Sequence, residues 1–380
     1  MKRLLYIILF PAAGIFGSTS CKKPYTPPAT QVNYQYLVVD GVIINSPDSP
    51  TVIRLSMTVP LSDSTSLSVP EKGASVSIQG NSGENFPLSE QVPGSYVSSP
   101  LPLTVTHLYR LSIKRANGKL YQSDFVPVGQ SPPIDSVTWA PVNGVTISVA
   151  THDPLNITQY YRWDFTETWQ YRSTYARTIA ESNGLIYYVD STNQTYNCWS
   201  GDHSTALILG STVALDKNVI SGQQVAVIPQ NDEKISVRYT MLLKQYALTA
   251  GAFQYFQVLK TNTENLGSIF DAQPTQLVGN VHAVTNPKEV VIGYITASSV
   301  RQQRIFISNN QLPGWAPADN SASCALIAID QNPVNYLLYT YSDTSYTPYF
   351  FISPSTIQLA KKHCVDCTTR GGTTSKPPFW

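Results

Sequence analysis

From Tyr36 onward the chain alternates apolar and polar residues over short stretches, the period-two pattern of strands buried on one face. Residues 36–44 read as a first strand, Val52, Leu55 and Val59 fall in a second, Val76 and Ile78 mark a third and Tyr96 a fourth. Tyr109, Leu111 and Ile113 alternate strictly. Asn117-Gly118, followed by Leu120-Tyr121, is a strong hairpin signal because both turn residues tolerate positive φ. Strands at this spacing predict an immunoglobulin-like or transthyretin-like sandwich over residues 35–130.

Ser131-Pro132-Pro133 reads as a linker, after which strand patterns resume at 134–139 and 145–150 and a turn falls at His152-Asp153-Pro154. The next strand, 160–165, places Tyr161, Trp163 and Phe165 on one face and Tyr160, Arg162 and Asp164 on the other. Residues 172–205 are polar, Tyr-rich and weakly periodic, and predict long loops or an excursion from the sheet. One helix is expected over 249–262, capped by Thr249, with Ala252, Phe253, Phe256 and Leu259 at helical spacing. A second short helix is expected over 355–363, and strands over 290–295, 304–307 and 336–341. The fold class predicted is mainly β: two immunoglobulin-like or transthyretin-like β-sandwich domains, 35–130 and 131–380, the second with a short helical insert, long loops and a Cys-rich C-terminal tail.

The start of the chain obeys a different rule. Lys2 and Arg3 precede an apolar stretch, Leu4 to Gly17, which is shorter than the roughly 20 residues of a membrane-spanning helix and ends in Ser18-Thr19-Ser20-Cys21. Residues 1–20 therefore read as a signal peptide of the bacterial lipoprotein type, with Cys21 lipidated, although Ser18 stands where Leu is usual. An ordinary secretory signal, with Cys21 as a disulfide partner, is the alternative. Residues 21–34, rich in Pro, form a semi-rigid tether. Lys22 is not the Asp that retains such proteins in the inner membrane, so the outer membrane is the expected location, facing either side.

Charge narrows the classes of partner. Charged residues are 13% of the chain, against roughly 25% in an average soluble domain. The formal charge is +1, and losing residues 1–20 removes two cations and no acid. No field of this size collects nucleic acid, and membrane attachment falls to the acyl chains on Cys21. Without Cys21 the five Cys become four, Cys198, Cys324, Cys364 and Cys367, an even set that suits disulfides in an oxidising compartment. The Cys364-Val365-Asp366-Cys367 spacing also invites zinc or redox readings. Zinc lacks a second close pair, and a redox thiolate is disfavoured after a helix rather than at its start. The three possible pairings stay open.

His107, His152, His203, His282 and His363 are scattered, and no nucleophile elbow, phosphate loop, dinucleotide fingerprint or calcium loop is present. No catalytic residue, metal or cofactor is assigned, and an enzyme is the weaker expectation. An aromatic run from Tyr160 to Trp199 serves either as packing or as stacking surface for a sugar or peptide. Tyr187, Tyr188, Tyr196 and Trp199, on the irregular stretch, are the candidate ligand-binding residues.

Tyr36-Leu37-Val38-Val39-Asp40-Gly41-Val42-Ile43 resembles the opening of a family of Bacteroidota lipoproteins known as domain of unknown function four-two-four-nine. The resemblance continues through Lys244-Gln245-Tyr246, Asn262-Thr263-Glu264, Gly267-Ser268-Ile269-Phe270-Asp271, Gln273-Pro274, Gly279-Asn280 and Gly293-Tyr294. It ends in a tail, Cys364 to Cys367, Arg370-Gly371-Gly372 and Lys376-Pro377-Pro378-Phe379-Trp380, departing at Pro378, where an acidic residue is commoner. It implies an outer-membrane lipoprotein encoded beside TonB-dependent receptors, and carries over no catalytic residue. The expected function is a lipid-anchored accessory of such a receptor in nutrient binding or uptake. The alternative is a structural or adhesion lipoprotein of the envelope without a small ligand.

Overall fold

The computed structural model describes residues 35–59, 68–183, 185–190, 192–264, 277–317, 323–330 and 345–380. Residues 1–34, with Cys21, the tether and the expected signal peptide, lie outside the described residues, as does the expected strand over 336–341. The described chain is mainly β, with one long helix, Ala250–Glu264. Among the described residues no helix is long and apolar enough to cross a membrane.

The two strands expected over 36–59 are one, Leu37–Met57. Its first half runs parallel to Thr296–Ser308, with Val42 opposite Thr296. Its second half is antiparallel to Ser95–Leu101, with Ile53 opposite Tyr96. The polar stretch that separates the two apolar patterns is a register shift between Ser46 and Val52, where the strand exchanges partners. The hairpin at Asn117-Gly118 forms as expected: Gly118 has φ 85°, and Lys114 pairs with Leu120.

Two large cores follow from the alternation. The first gathers Ile43, Ile53, Leu55, Ile78, Tyr96, Tyr109, Leu111 and Tyr121, and is closed by Val281, Ala283, Val291, Ile295 and Ala297 from far beyond residue 130. Asn280 holds that returning segment, its side chain exchanging two hydrogen bonds with the Ile295 backbone at 2.7 and 2.9 Å. Glu289 pins it again, accepting from Tyr121 Oη at 2.5 Å and Lys119 Nζ at 2.8 Å. The second core is sandwich-like. A three-stranded sheet, Ile134–Ala140, Val145–His152 and Val219–Ile228, packs Val145, Ile147 and Val149 against Tyr161, Trp163, Tyr239, Met241 and Leu243 of the larger sheet. Tyr161 and Trp163 are buried as the alternation predicts.

The Ser131-Pro132-Pro133 linker is not loose. Ser131 is 2% exposed, and its carbonyl accepts from Arg301 Nε. Gln245, at 0% exposure, accepts from Trp163 Nε1 at 2.9 Å. Its amide nitrogen donates to the Pro132 carbonyl at 2.8 Å and reaches Thr151 Oγ1 at 3.2 Å. A single buried amide thus satisfies polar groups from the linker and from both sheets of the second core.

The expected helix is present and Thr249 caps it, its hydroxyl accepting from the Ala252 amide at 3.2 Å. The expected helix over 355–363 is a correction: Thr356–Lys361 is a strand, and only Lys362–Val365 is helical. Ile357 and Leu359 are both buried at period two, and the strand is paired on both sides, by Ile327–Asp330 and Tyr346–Ser353. Residues 172–205 are likewise more regular than expected. They contain a hairpin, Ile179–Ser182 with Leu185–Tyr188, and a sheet strand, Asn197–His203. The last lies at the sheet edge, where exposure allows the polar sequence that masks its pattern.

The four Cys pair as Cys198–Cys367 and Cys324–Cys364, so the close pair of the tail splits between two bridges. The one grouping of metal-ligand type among the described residues, Cys324, His363 and Cys364, has both sulfurs in a disulfide and cannot offer thiolates.

Replacing Gln245 by Ala strands the Trp163 N–H and the Pro132 carbonyl, and should lower stability by about 2–4 kcal/mol, read as a lower urea midpoint at constant slope. Burial alone would raise the Glu289 pKa, but the hydrogen bonds from Lys119 and Tyr121 outweigh it and hold the pKa below the ordinary value. The stabilisation from this carboxylate is therefore complete above the usual glutamate range and is lost as the pH falls through the lowered value. Glu289→Gln should cost about 1–2 kcal/mol at pH 7, and the cost should shrink as the pH falls below the usual glutamate range, by urea unfolding across that range. Cys198→Ser with Cys367→Ser, which opens a bridge between residues 169 apart, should cost about 2–5 kcal/mol in thermal or chemical unfolding.

Candidate functional site

The site is built by register. Strand Tyr160–Arg172 is flanked by Asn197–His203 and Arg238–Leu248, and the latter is flanked in turn by Thr296–Ser308. Gln170 stands opposite Trp199 on one side and Arg238 on the other, and Arg238 stands opposite Ser308. Directly opposed residues share a face, so Trp199, Gln170, Arg238 and Ser308 form one row across four strands. Two residues along, the row is Gly201, Thr168, Thr240 and Phe306. Between the rows, Tyr239 and Ile307 point inward and are buried, Trp169 is half-buried, and Tyr171, next beyond Gln170, is buried.

The C-terminal tail crosses this outer face. Cys367 is tied to Cys198, the neighbour of Trp199, and Thr373 exchanges two backbone hydrogen bonds with Trp199 at 2.8 and 2.9 Å. Between them Gly371 takes φ 84°, and Gly372 passes so near Tyr171 that a Cβ would lie 2.2 Å from its hydroxyl oxygen. The left-handed φ explains the first glycine and the close approach the second. The tail then lays Trp380 edge-on to Trp199, at 6.3 Å and 83°, and to Phe306, at 6.2 Å and 81°. Phe379 covers Arg304, whose guanidinium carbon lies 3.8 Å from the ring centre, and burial holds that guanidinium below its ordinary pKa.

Between the sheet and the tail lies a cleft of about 670 Å³, within the range of small-molecule sites. Its walls include Trp199, Trp380, Gln170, Asn197, Ser236 and Ser308, and its charged groups are Arg172, Arg238 and Lys376. Arg238 lies over Phe306 at 4.3 Å and over Trp380 at 5.6 Å. Arg172 donates to Asn197 Oδ1 at 3.1 Å and sits over Tyr196 at 5.7 Å. Some cations elsewhere find acids, as Arg115 does in Glu71 and Lys234 in Glu167. Among the described residues Arg172, Arg238 and Lys376 form no ion pair, and the lining holds no carboxylate and no histidine. The Trp199 Nε1 atom is buried without an acceptor among the described residues.

A second cleft, about 500 Å³, lies where Pro127–Pro133 meets the loop from Asp153 to Thr158. Its charged groups are spent internally. Arg301 binds the Ser131 carbonyl, and the Asp153 carboxylate accepts from the amides of Leu155, Ile157 and Thr158. Burial alone would raise the Asp153 pKa, but those amides outweigh it and leave the value lowered. The Trp199 cleft, with cations left over, is the better candidate.

Of the four residues expected to bind a ligand, the structure brings two together. Trp199 lines the cleft, and Tyr196 supports it through Arg172. Tyr187 and Tyr188 lie on the hairpin strand Leu185–Tyr188, where Tyr188 meets Phe351 at 5.8 Å beside a separate small core. Gln170 and Arg172 were open to view in the alternation that runs on past Phe165, whereas Asn197 lay in the weakly periodic stretch. Arg238 and Ser308 carried no local signal.

No curated protein matches the chain. The matched profile described below includes the cleft residues on the strands up to Arg238, and Ser308, Lys376 and Trp380 fall beyond its span. With the opening strand, the central motifs and the shared strand Thr296–Ser308 up to residue 304 inside a match over residues 22–304, the chain belongs to the family described as Domain of unknown function (DUF4249).

Proposed function

We propose that this protein is a lipid-anchored, non-enzymatic accessory of an outer-membrane transporter, which holds a nutrient in the Trp199 cleft and passes it to a TonB-dependent receptor. The observation that carries the binding part is the cleft itself: indoles, amides, hydroxyls and unpaired cations mounted on paired strands and on the disulfide-tied tail, with neither a carboxylate nor a histidine in the lining to serve as general base. Such a lining favours retention of a ligand over its conversion. The anchor rests on Cys21 and the apolar segment before it. Family resemblance supports the receptor.

A second reading, an adhesion or envelope-assembly protein, draws on a different surface. Leu155 and Ile157 are 72% and 73% exposed on the loop that Asp153 rigidifies. Val213 and Leu215 are exposed on the adjoining loop, joined to it through the Thr212 amide and the Gln159 carbonyl at 2.9 Å. Rigid loops with bare aliphatic tips suit contact with another protein.

Cross-linking in native membranes followed by pull-down separates the two. Co-purification of a TonB-dependent receptor with the wild-type chain, and release of Cys21→Ser from the membrane fraction, are the expected results. Capture of envelope proteins with no receptor among them would favour the second reading.

A further inference from the structure

The chemistry of the cleft also states what kind of ligand it takes, an inference that rests on the binding reading above. We propose that the ligand is an acidic saccharide, a uronate-bearing sugar whose carboxylate meets Arg238 and Lys376 while its ring packs on the indoles.

Charge is the first reason. The chain is poor in charged residues and almost neutral, yet three cations border one cleft and no acid does. Like charges gathered without a counter-charge repel one another, and an anion relieves that repulsion. Arg238 is held for the purpose. Phe306 and Trp380 flank its guanidinium, at 4.3 and 5.6 Å, and it meets no carboxylate among the described residues. A planar guanidinium so held is matched to the two oxygens of a carboxylate.

The rest of the lining selects a sugar over a peptide. Gln170, Asn197, Ser236 and Ser308 offer short donors and acceptors that suit ring hydroxyls. Peptide recognition relies on a free strand edge or on apolar pockets for side chains, and at this cleft the edge strand Asn197–His203 is already bridged by the tail, Trp199 to Thr373. Its apolar surface includes two flat aromatic rings, Trp199 and Trp380, beside Val237, and such rings suit the C–H face of a pyranose.

The test titrates the full mature chain with trigalacturonic acid and with its carboxyl-reduced neutral analogue, by calorimetry and tryptophan fluorescence. The acidic trimer should bind, weaken as salt rises, and bind at least tenfold better than the neutral one. Arg238→Gln should lower affinity for the acidic trimer by about 10–100-fold and leave the neutral one unchanged. Lys376→Gln, on the exposed tail and without consequence for folding, should lower it by severalfold. Equal binding of the two trimers, or an Arg238→Gln variant that melts normally and binds unchanged, overturns the acidic class and leaves the binding reading intact. Binding of a carboxylate-rich peptide in place of either trimer overturns the saccharide. Absence of binding by any of these probes, with a receptor still recovered from membranes, overturns the ligand inference and leaves the partnership standing.

Discussion

Strand Thr296–Ser308 belongs to two cores at once, and the rest of the molecule is arranged around that fact. Its first residues run parallel to Val42–Asn45 and place Ala297 in the first core. Its later residues run antiparallel to Arg238–Tyr246 and place Ile307 in the second. A strand cannot bend or slip in one sheet without losing register in the other, because a one-residue slip turns every side chain to the opposite face. The buried linker adds to this constraint. Ser131 bonds to Ser299 and Gln245, so the segment between the cores is hydrogen-bonded where an ordinary linker would be solvated.

That rigidity gives the outer face its geometry. Arg238, Phe306 and Arg304 are placed by the pairing of two long strands, and the tail is laid over them by a disulfide to the strand edge. Cys198 faces inward and Trp199 outward on the same strand, so one short edge strand both anchors the tail and lines the cleft. Aromatic rings cover the guanidiniums of Arg238 and Arg304 without neutralising them. In a chain with so few charges, the cleft gathers three cations, Arg172, Arg238 and Lys376, and no acid along one lining.

Much of the local structure was legible. The strict alternation about Tyr161 and Trp163 told which side is core, Asn117-Gly118 told where a hairpin turns, and Thr249 told where the helix starts. Two local readings failed for the same reason. Residues 355–363 and 197–203 carry few apolar residues, because one strand belongs to a small sheet and the other lies at an edge. Their patterns fall below what period alone resolves. The Leu37–Met57 strand was split for a different reason, since a change of partner in mid-strand reads as a turn.

The sequence alone determined the faces of the strands, the capped helix, the even number of cysteines that remain after Cys21, and the low charge. These properties act within a few residues or by simple count. Only the tertiary structure decided that Cys198 meets Cys367, that Gln170 stands between Trp199 and Arg238, and that Trp380 returns to close the cleft. The reason is physical. Each of those meetings closes a loop of some 30 to 180 residues, and its outcome depends on strand register and on the summed packing of two cores rather than on any preference of the residues that meet.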